Sequence, residues 1–77
     1  MMWPEEFEPL YDERIQGELV RFYWKQGNDG EHTIRAEWHF GADPWDRQSR
    51  ESHNPTRHLA IEEATAKITQ LIAQEKA

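Results

Sequence analysis

The chain contains no cysteine. That excludes disulfide staples, thiolate nucleophiles and cysteine-ligated zinc, and it suits a reducing compartment. Long hydrophobic runs are also missing. No apolar stretch approaches the roughly 18 residues of a membrane-spanning helix. The start, MMWPEEFEP, is acidic where a signal peptide is basic and then apolar. The expectation is a soluble, cytoplasmic protein. Positive charge is scarce: nine Lys and Arg face fifteen Asp and Glu, for a net charge of −6. Such a chain is a poor non-specific binder of nucleic acid, because phosphate attraction dominates that binding. Glycine is sparse as well. Gly27 and Gly30 belong to a turn, and no glycine-rich phosphate loop is present.

The 77 residues make one domain, 1–77. A chain this short buries only about 60 % of its unfolded surface. Four tryptophans offset this, since each large aromatic buries on the order of 150–250 Å². The acidity sits at one end. Residues 1–18 hold Glu5, Glu6, Glu8, Asp12, Glu13 and Glu18 against Arg14 alone, a net of −5, and the rest of the chain contributes −1.

Residues 18–40 read as a β-hairpin. Val20, Phe22 and Trp24 alternate with Leu19, Arg21, Tyr23 and Lys25. Ile34, Ala36, Trp38 and Phe40 alternate with Thr33, Arg35, Glu37 and His39. A period of two marks strands with one buried face. A three-residue loop, Asn28-Asp29-Gly30, places glycine where a left-handed conformation is needed. That loop sets Lys25 opposite Thr33, Trp24 opposite Ile34, Phe22 opposite Ala36 and Val20 opposite Trp38. Tyr23 then faces Arg35, and Arg21 faces Glu37. A one-residue slip would send the two apolar sets to different faces.

The N-terminal segment, 1–17, carries Trp3, Phe7, Leu10, Tyr11 and Ile15 at helical spacing. It predicts a short helix from Pro9 to Gln16, ended by Gly17, with Trp3 and Phe7 wrapping the core. The rival reading is a strand from Tyr11 that turns at Gly17. Residues 41–54 are polar and read as a loop, with an edge strand over 47–52 as the alternative. Trp45 is the one large apolar residue there, either a lid on the core or an anchor for a partner. Residues 55–75 read as the main helix, capped by Asn54 with Pro55 at its first position. Ile61, Ala64, Ile68, Leu71 and Ile72 form its apolar stripe, with Ala60 at the edge and Leu59 off it. The expected fold is a small two-layer α+β domain. A hairpin, or a three-stranded sheet, packs on a long C-terminal helix in the order α-β-β-(β)-α. That order resembles the outline of double-stranded-RNA-binding domains. Their basic helix start is poorly matched here, because Glu62 and Glu63 follow Arg57 and His58.

No catalytic or cofactor constellation stands out. His32 and His39 fall on opposite faces of one strand, and His53 and His58 flank a proline without metal-pair spacing. Ser49, Ser52 and His53 lie close in a polar stretch, which is weak ground for a triad. The expectation is no enzyme, no cofactor and no metal. What remains is surface. The first functional reading is a protein–protein interaction module that presents Glu5, Glu6, Glu8, Asp12, Glu13 and Trp45 to a basic partner. DNA-mimic and anti-CRISPR inhibitors of nucleic-acid-binding proteins, encoded by phages or mobile elements, are the analogy of composition. The alternative is a nucleic-acid binder using Arg21, Tyr23, Lys25, Arg35 and His39, where aromatic stacking on a basic face supplies the affinity. No membrane is implied. An exposed hairpin edge would suit a homodimer.

Overall fold

The computed structural model describes residues 7–27, 29–39 and 47–76. They form β1 (Glu8–Ile15), β2 (Glu18–Gln26), β3 (His32–His39), β4 (Arg47–Asn54) and α1 (Arg57–Lys76). The strands make one antiparallel sheet in the order β1-β2-β3-β4, and α1 packs over β3 and β4. The fold is α+β, as the sequence predicts, but its order is strands first and helix last. The likeness in outline to double-stranded-RNA-binding domains therefore ends at their first helix. No helix among the described residues is long and apolar enough to cross a membrane.

The β2–β3 hairpin keeps the predicted register throughout, with Trp24 opposite Ile34 and Arg21 opposite Glu37. Gly27 N donates to Glu31 O at 2.8 Å and closes the loop. Asp29 Oδ1 accepts from Glu31 N at 3.0 Å, and Gly30 adopts φ 85°. Asn28 and Phe40 lie outside the described residues.

Residues 8–15 form a strand where the apolar spacing predicts a helix; the rival reading matches the structure. A β-bulge explains the misleading spacing. The β1–β2 register shifts between Pro9 and Tyr11, so Leu10 breaks the period of two. Tyr11 then meets the Phe22 ring, centroids 5.0 Å apart and planes tilted by 35°, while Leu10 packs against the core. Gln16 (φ 52°) and Gly17 (φ 84°) form the two-residue turn, closed by the pair Ile15 and Glu18. Two successive positive φ values match the twist of a tight hairpin. Both edges of the 18–40 hairpin are thus covered, one by β1 and one by β4.

In the segment 41–54, the alternative of an edge strand over 47–52 matches the structure, which extends it to the eight residues of β4. Its sequence, RQSRESHN, has no apolar residue to announce a buried face. Its deepest side chain is Ser52, 2 % exposed, opposite Ile34 and beneath the helix layer. Residues 41–46, Trp45 included, lie outside the described residues.

The helix begins two residues later than predicted. Asn54 Oδ1 accepts from Thr56 N at 2.9 Å, and Thr56 O accepts from Ala60 N at 3.0 Å. Thr56, not Asn54, therefore holds the N-cap position. Ala60, Ala64, Ile68, Leu71 and Ile72 are buried and Ile61 is partly so, while Leu59 is exposed. They meet Ile15, Val20, Phe22, Ile34, Ala36 and Trp38 in one core.

Two polar contacts close the ends of that core. At the C-terminal end of α1, the buried Trp38 indole donates through Nε1 to Glu18 Oε1 at 3.3 Å, and Glu18 Oε2 lies 3.3 Å from Lys76 Nζ. Lys76 also donates to Gln16 O in the first turn. The Trp38 hydrogen bond, then the Lys76 ammonium, hold the Glu18 carboxyl below its ordinary pKa. At the other end, Trp24 Nε1 donates to His32 Nδ1 at 3.0 Å, and the Arg57 guanidinium sits 5.0 Å from the Trp24 ring.

Candidate interaction surfaces

Strand parity sorts the polar side chains. One side of the sheet faces α1. The other carries Asp12 and Arg14 from β1, Leu19, Arg21, Tyr23 and Lys25 from β2, Thr33, Arg35 and Glu37 from β3, and Ser49, Glu51 and His53 from β4. No described element lies across that second side. Four residues of the predicted basic and aromatic site, Arg21, Tyr23, Lys25 and Arg35, therefore share this face, hereafter the open face. Leu19 and Arg21 are exposed on it, Tyr23, Lys25, Arg35 and Glu37 are partly buried, and Thr33 is buried. His39 is placed by register opposite Arg47.

The cations on this face already have partners. Arg35 Nε lies 3.0 Å from Glu37 Oε2, and Arg35 Nη1 donates to Glu51 Oε2 at 3.3 Å. The Nε contact is an ion pair off the hydrogen-bond direction, since that buried nitrogen has no hydrogen-bond partner. Arg21 Nε lies 3.9 Å from Asp12 Oδ1. Lys25 Nζ sits 5.1 Å from the centre of the Phe7 ring, with Arg35 Cζ on the same ring at 6.0 Å. Thr33 Oγ1 and His53 Nδ1 are 2.9 Å apart. The face is a lattice of lateral pairs around Phe7, Tyr23 and the half-exposed Leu19.

The predicted acidic site is divided. Glu8, Asp12 and Glu13 are exposed on β1. Asp12 points to the open face, whereas Glu13, opposite Val20, and Glu8, opposite Trp24, point to the helix side. Glu13 lies near Tyr11, whose hydroxyl pKa is raised by burial and, secondarily, by that carboxylate. Glu5, Glu6 and Trp45 lie outside the described residues.

Two contributors escaped the sequence reading. Phe7 was read as a core residue, yet it lies against Lys25 and Arg35 on the open side. Glu51 falls in the segment that reads as a loop, with an edge strand over 47–52 as the alternative, and it meets Arg35 because β4 is a strand in register. A β4 register would have exposed the second; nothing local announces the first. Among the described residues, no group of three or more His, Asp or Glu side chains is arranged to hold a metal ion. No protein-family model, curated protein or solved structure matches the chain.

Proposed function

We propose that this chain is a small cytoplasmic protein–protein interaction module that docks through its open sheet face. The observation behind this reading is the composition of that face. Leu19, Tyr23 and Phe7 lie among arginines already paired to carboxylates. Interfaces favour tyrosine, other aromatics and arginine as anchors. Internally neutralised arginines suit a protein partner better than a phosphate backbone, which needs uncompensated cations. The exposed acidic side chains of β1, Asp12 on the face and Glu8 and Glu13 on the other side of the same edge strand, favour a partner of basic surface and speed its approach. A nucleic-acid-binding protein fits that description, and inhibiting one in the manner of a DNA mimic is the corresponding biological role.

The second reading is nucleic-acid binding by the same face, favoured by Tyr23 and Lys25 lying beside Arg21 and Arg35. Capture from lysate with and without nuclease separates the two. A protein partner survives nuclease, and its association slows when Glu8, Asp12 and Glu13 are reversed to lysine. A nucleic-acid ligand is lost with nuclease, and the same reversal strengthens it.

A further inference from the structure

The two edges of the sheet are unlike. β1 contains Pro9 and a bulge, both of which blunt an edge against strand addition. β4 runs eight residues without proline and without a break in its register to β3. The hairpin tells which of its backbone groups point outward. Gly27 N bonds to Glu31 O, so that pair is hydrogen-bonded. Bonded and non-bonded pairs alternate along an antiparallel ladder. Thr33, Arg35 and Glu37 therefore turn their backbone groups to β2, and Ile34, Ala36 and Trp38 turn theirs to β4. Their partners Ser52, Arg50 and Gln48 point inward. Ser49, Glu51 and His53 then present N–H and C=O to the outside.

Two side-chain contacts agree with this count. Arg50 Nη1 donates to Ser49 O at 2.7 Å, and Lys67 Nζ donates to Glu51 O at 2.9 Å. Both carbonyls belong to the outward set. Beside them, between β4 and α1, lies an open groove of about 430 Å³ lined by Arg50, Glu51, Lys67, Gln70, Leu71 and Gln74. The Glu51 carboxylate is engaged by Arg35 on the opposite side of the sheet. The groove is thus left with two cations, two amides and an apolar floor.

We infer that the β4 edge and this groove accept an extended acidic peptide as a fifth strand. Its N–H groups replace Arg50 and Lys67 on the carbonyls of Ser49 and Glu51. Its carbonyls accept from the outward N–H groups of the same strand. The displaced Arg50 and Lys67 pair with carboxylates on the helix side of the incoming strand, while its alternate side chains cover Leu71. Strand addition of this kind draws affinity from the main chain and selectivity from the flanking groove. A second copy is the rival occupant, since a β4–β4 pairing centred on Ser49 would set Glu51 opposite Arg47, but charge disfavours the two neighbouring registers. A β4–β4 pairing centred on Arg50 opposes Arg50 to Arg50, and one centred on Glu51 opposes Glu51 to Glu51; like charges directly opposite are destabilising. This surface is distinct from the open face, and its test does not depend on that reading.

The experiment is an NMR titration of the isotope-labelled full chain with an end-capped peptide of alternating glutamate and valine. Saturable amide shifts should concentrate on 47–54 and 67–74 and weaken with added salt. A peptide with lysine in place of glutamate should not produce them. Lys67→Glu should weaken the acidic peptide by roughly tenfold or more. Ser49→Pro removes one outward N–H and no inward ladder bond, and it should abolish binding. Ser49→Ala keeps that N–H and should bind as the parent does, and a parent-like amide spectrum of Ser49→Pro outside β4 separates edge pairing from a folding defect. No shifts at millimolar peptide, shifts on the open face or β1 instead, or an unaffected Lys67→Glu would overturn the inference. So would β4 shifts that follow protein concentration alone, because a second copy would then hold the edge.

Discussion

The two faces of the sheet are built on different physics. Toward α1, Val20, Phe22, Ile34, Ala36 and Trp38 lie almost wholly out of water. Away from α1, Arg21 pairs with Asp12, Arg35 pairs with Glu37 and Glu51, and Lys25 and Arg35 sit on the Phe7 ring. Buried apolar area stabilises at roughly 25 cal/mol per Å², and a large core side chain contributes about 1.5–3 kcal/mol. An exposed ion pair contributes about 0–1 kcal/mol. The covered face therefore carries the fold. The open face, where Leu19 and Arg21 are exposed and Arg35 and Glu37 are partly buried, contributes less to stability.

The largest break in this comparison should come from the covered face. Trp38→Ala should cost about 3–5 kcal/mol and Ile68→Ala about 2–5 kcal/mol, read as shifts in the urea midpoint. In a domain of this size, either loss rivals the total stability. Unchanged midpoints would mean that the stripe and the sheet do not bury each other.

The next effect is pH-dependent. The Glu18 carboxyl has a lowered pKa in the fold, from the Trp38 hydrogen bond and then Lys76. A depressed carboxylate pKa stabilises the fold above the unfolded value, and that stability disappears as pH falls through the folded value. Acid should therefore destabilise the parent chain more than Glu18→Gln. Urea midpoints measured from neutral pH down through the carboxylate range should converge between the two proteins. Parallel curves would remove Glu18 from the account.

A smaller effect of opposite sign is expected at Ser52. Its hydroxyl is buried without a hydrogen-bond partner. Ser52→Ala removes that unsatisfied group and should raise stability by about 1 kcal/mol. A fall would show that the hydroxyl does find a partner.

The smallest effect belongs to the open face. A double-mutant cycle on Arg35 and Glu51 should return about 0.2–1 kcal/mol. A coupling of several kcal/mol would make this face a structural element and weaken its reading as a docking surface.

The same contrast decides what the sequence made legible. The β2–β3 register follows from strict alternation ending at a glycine turn, so burial and turn geometry gave one answer. The helix stripe is equally plain from Ala60 to Ile72. The bulge at β1 is hidden because one extra residue turns a period of two into spacings that resemble a helix. β4 is legible only as the alternative edge strand over 47–52, because among its described side chains Ser52 alone is buried and the hydrophobic pattern has nothing to register. The open face was half legible. Parity brings together Arg21, Tyr23, Lys25 and Arg35, but the pairing of Arg35 with Glu51 needs a strand that the sequence offers only as an alternative. The acidic cluster shows the opposite failure. Neighbours in sequence, Asp12 and Glu13, leave the strand on opposite sides.

The most direct test of the central claim is partner capture from nuclease-treated lysate by three proteins: the parent, Leu19→Glu with Tyr23→Ala, and Leu59→Glu. Leu19 and Tyr23 lie on the open face, whereas Leu59 is an exposed residue of α1 off its buried stripe. All three should keep the parent's circular dichroism. The open-face reading predicts one protein partner held by the parent and by Leu59→Glu and lost by the Leu19 and Tyr23 double variant. Capture that survives the double variant, or that vanishes from every protein on nuclease treatment, would contradict it.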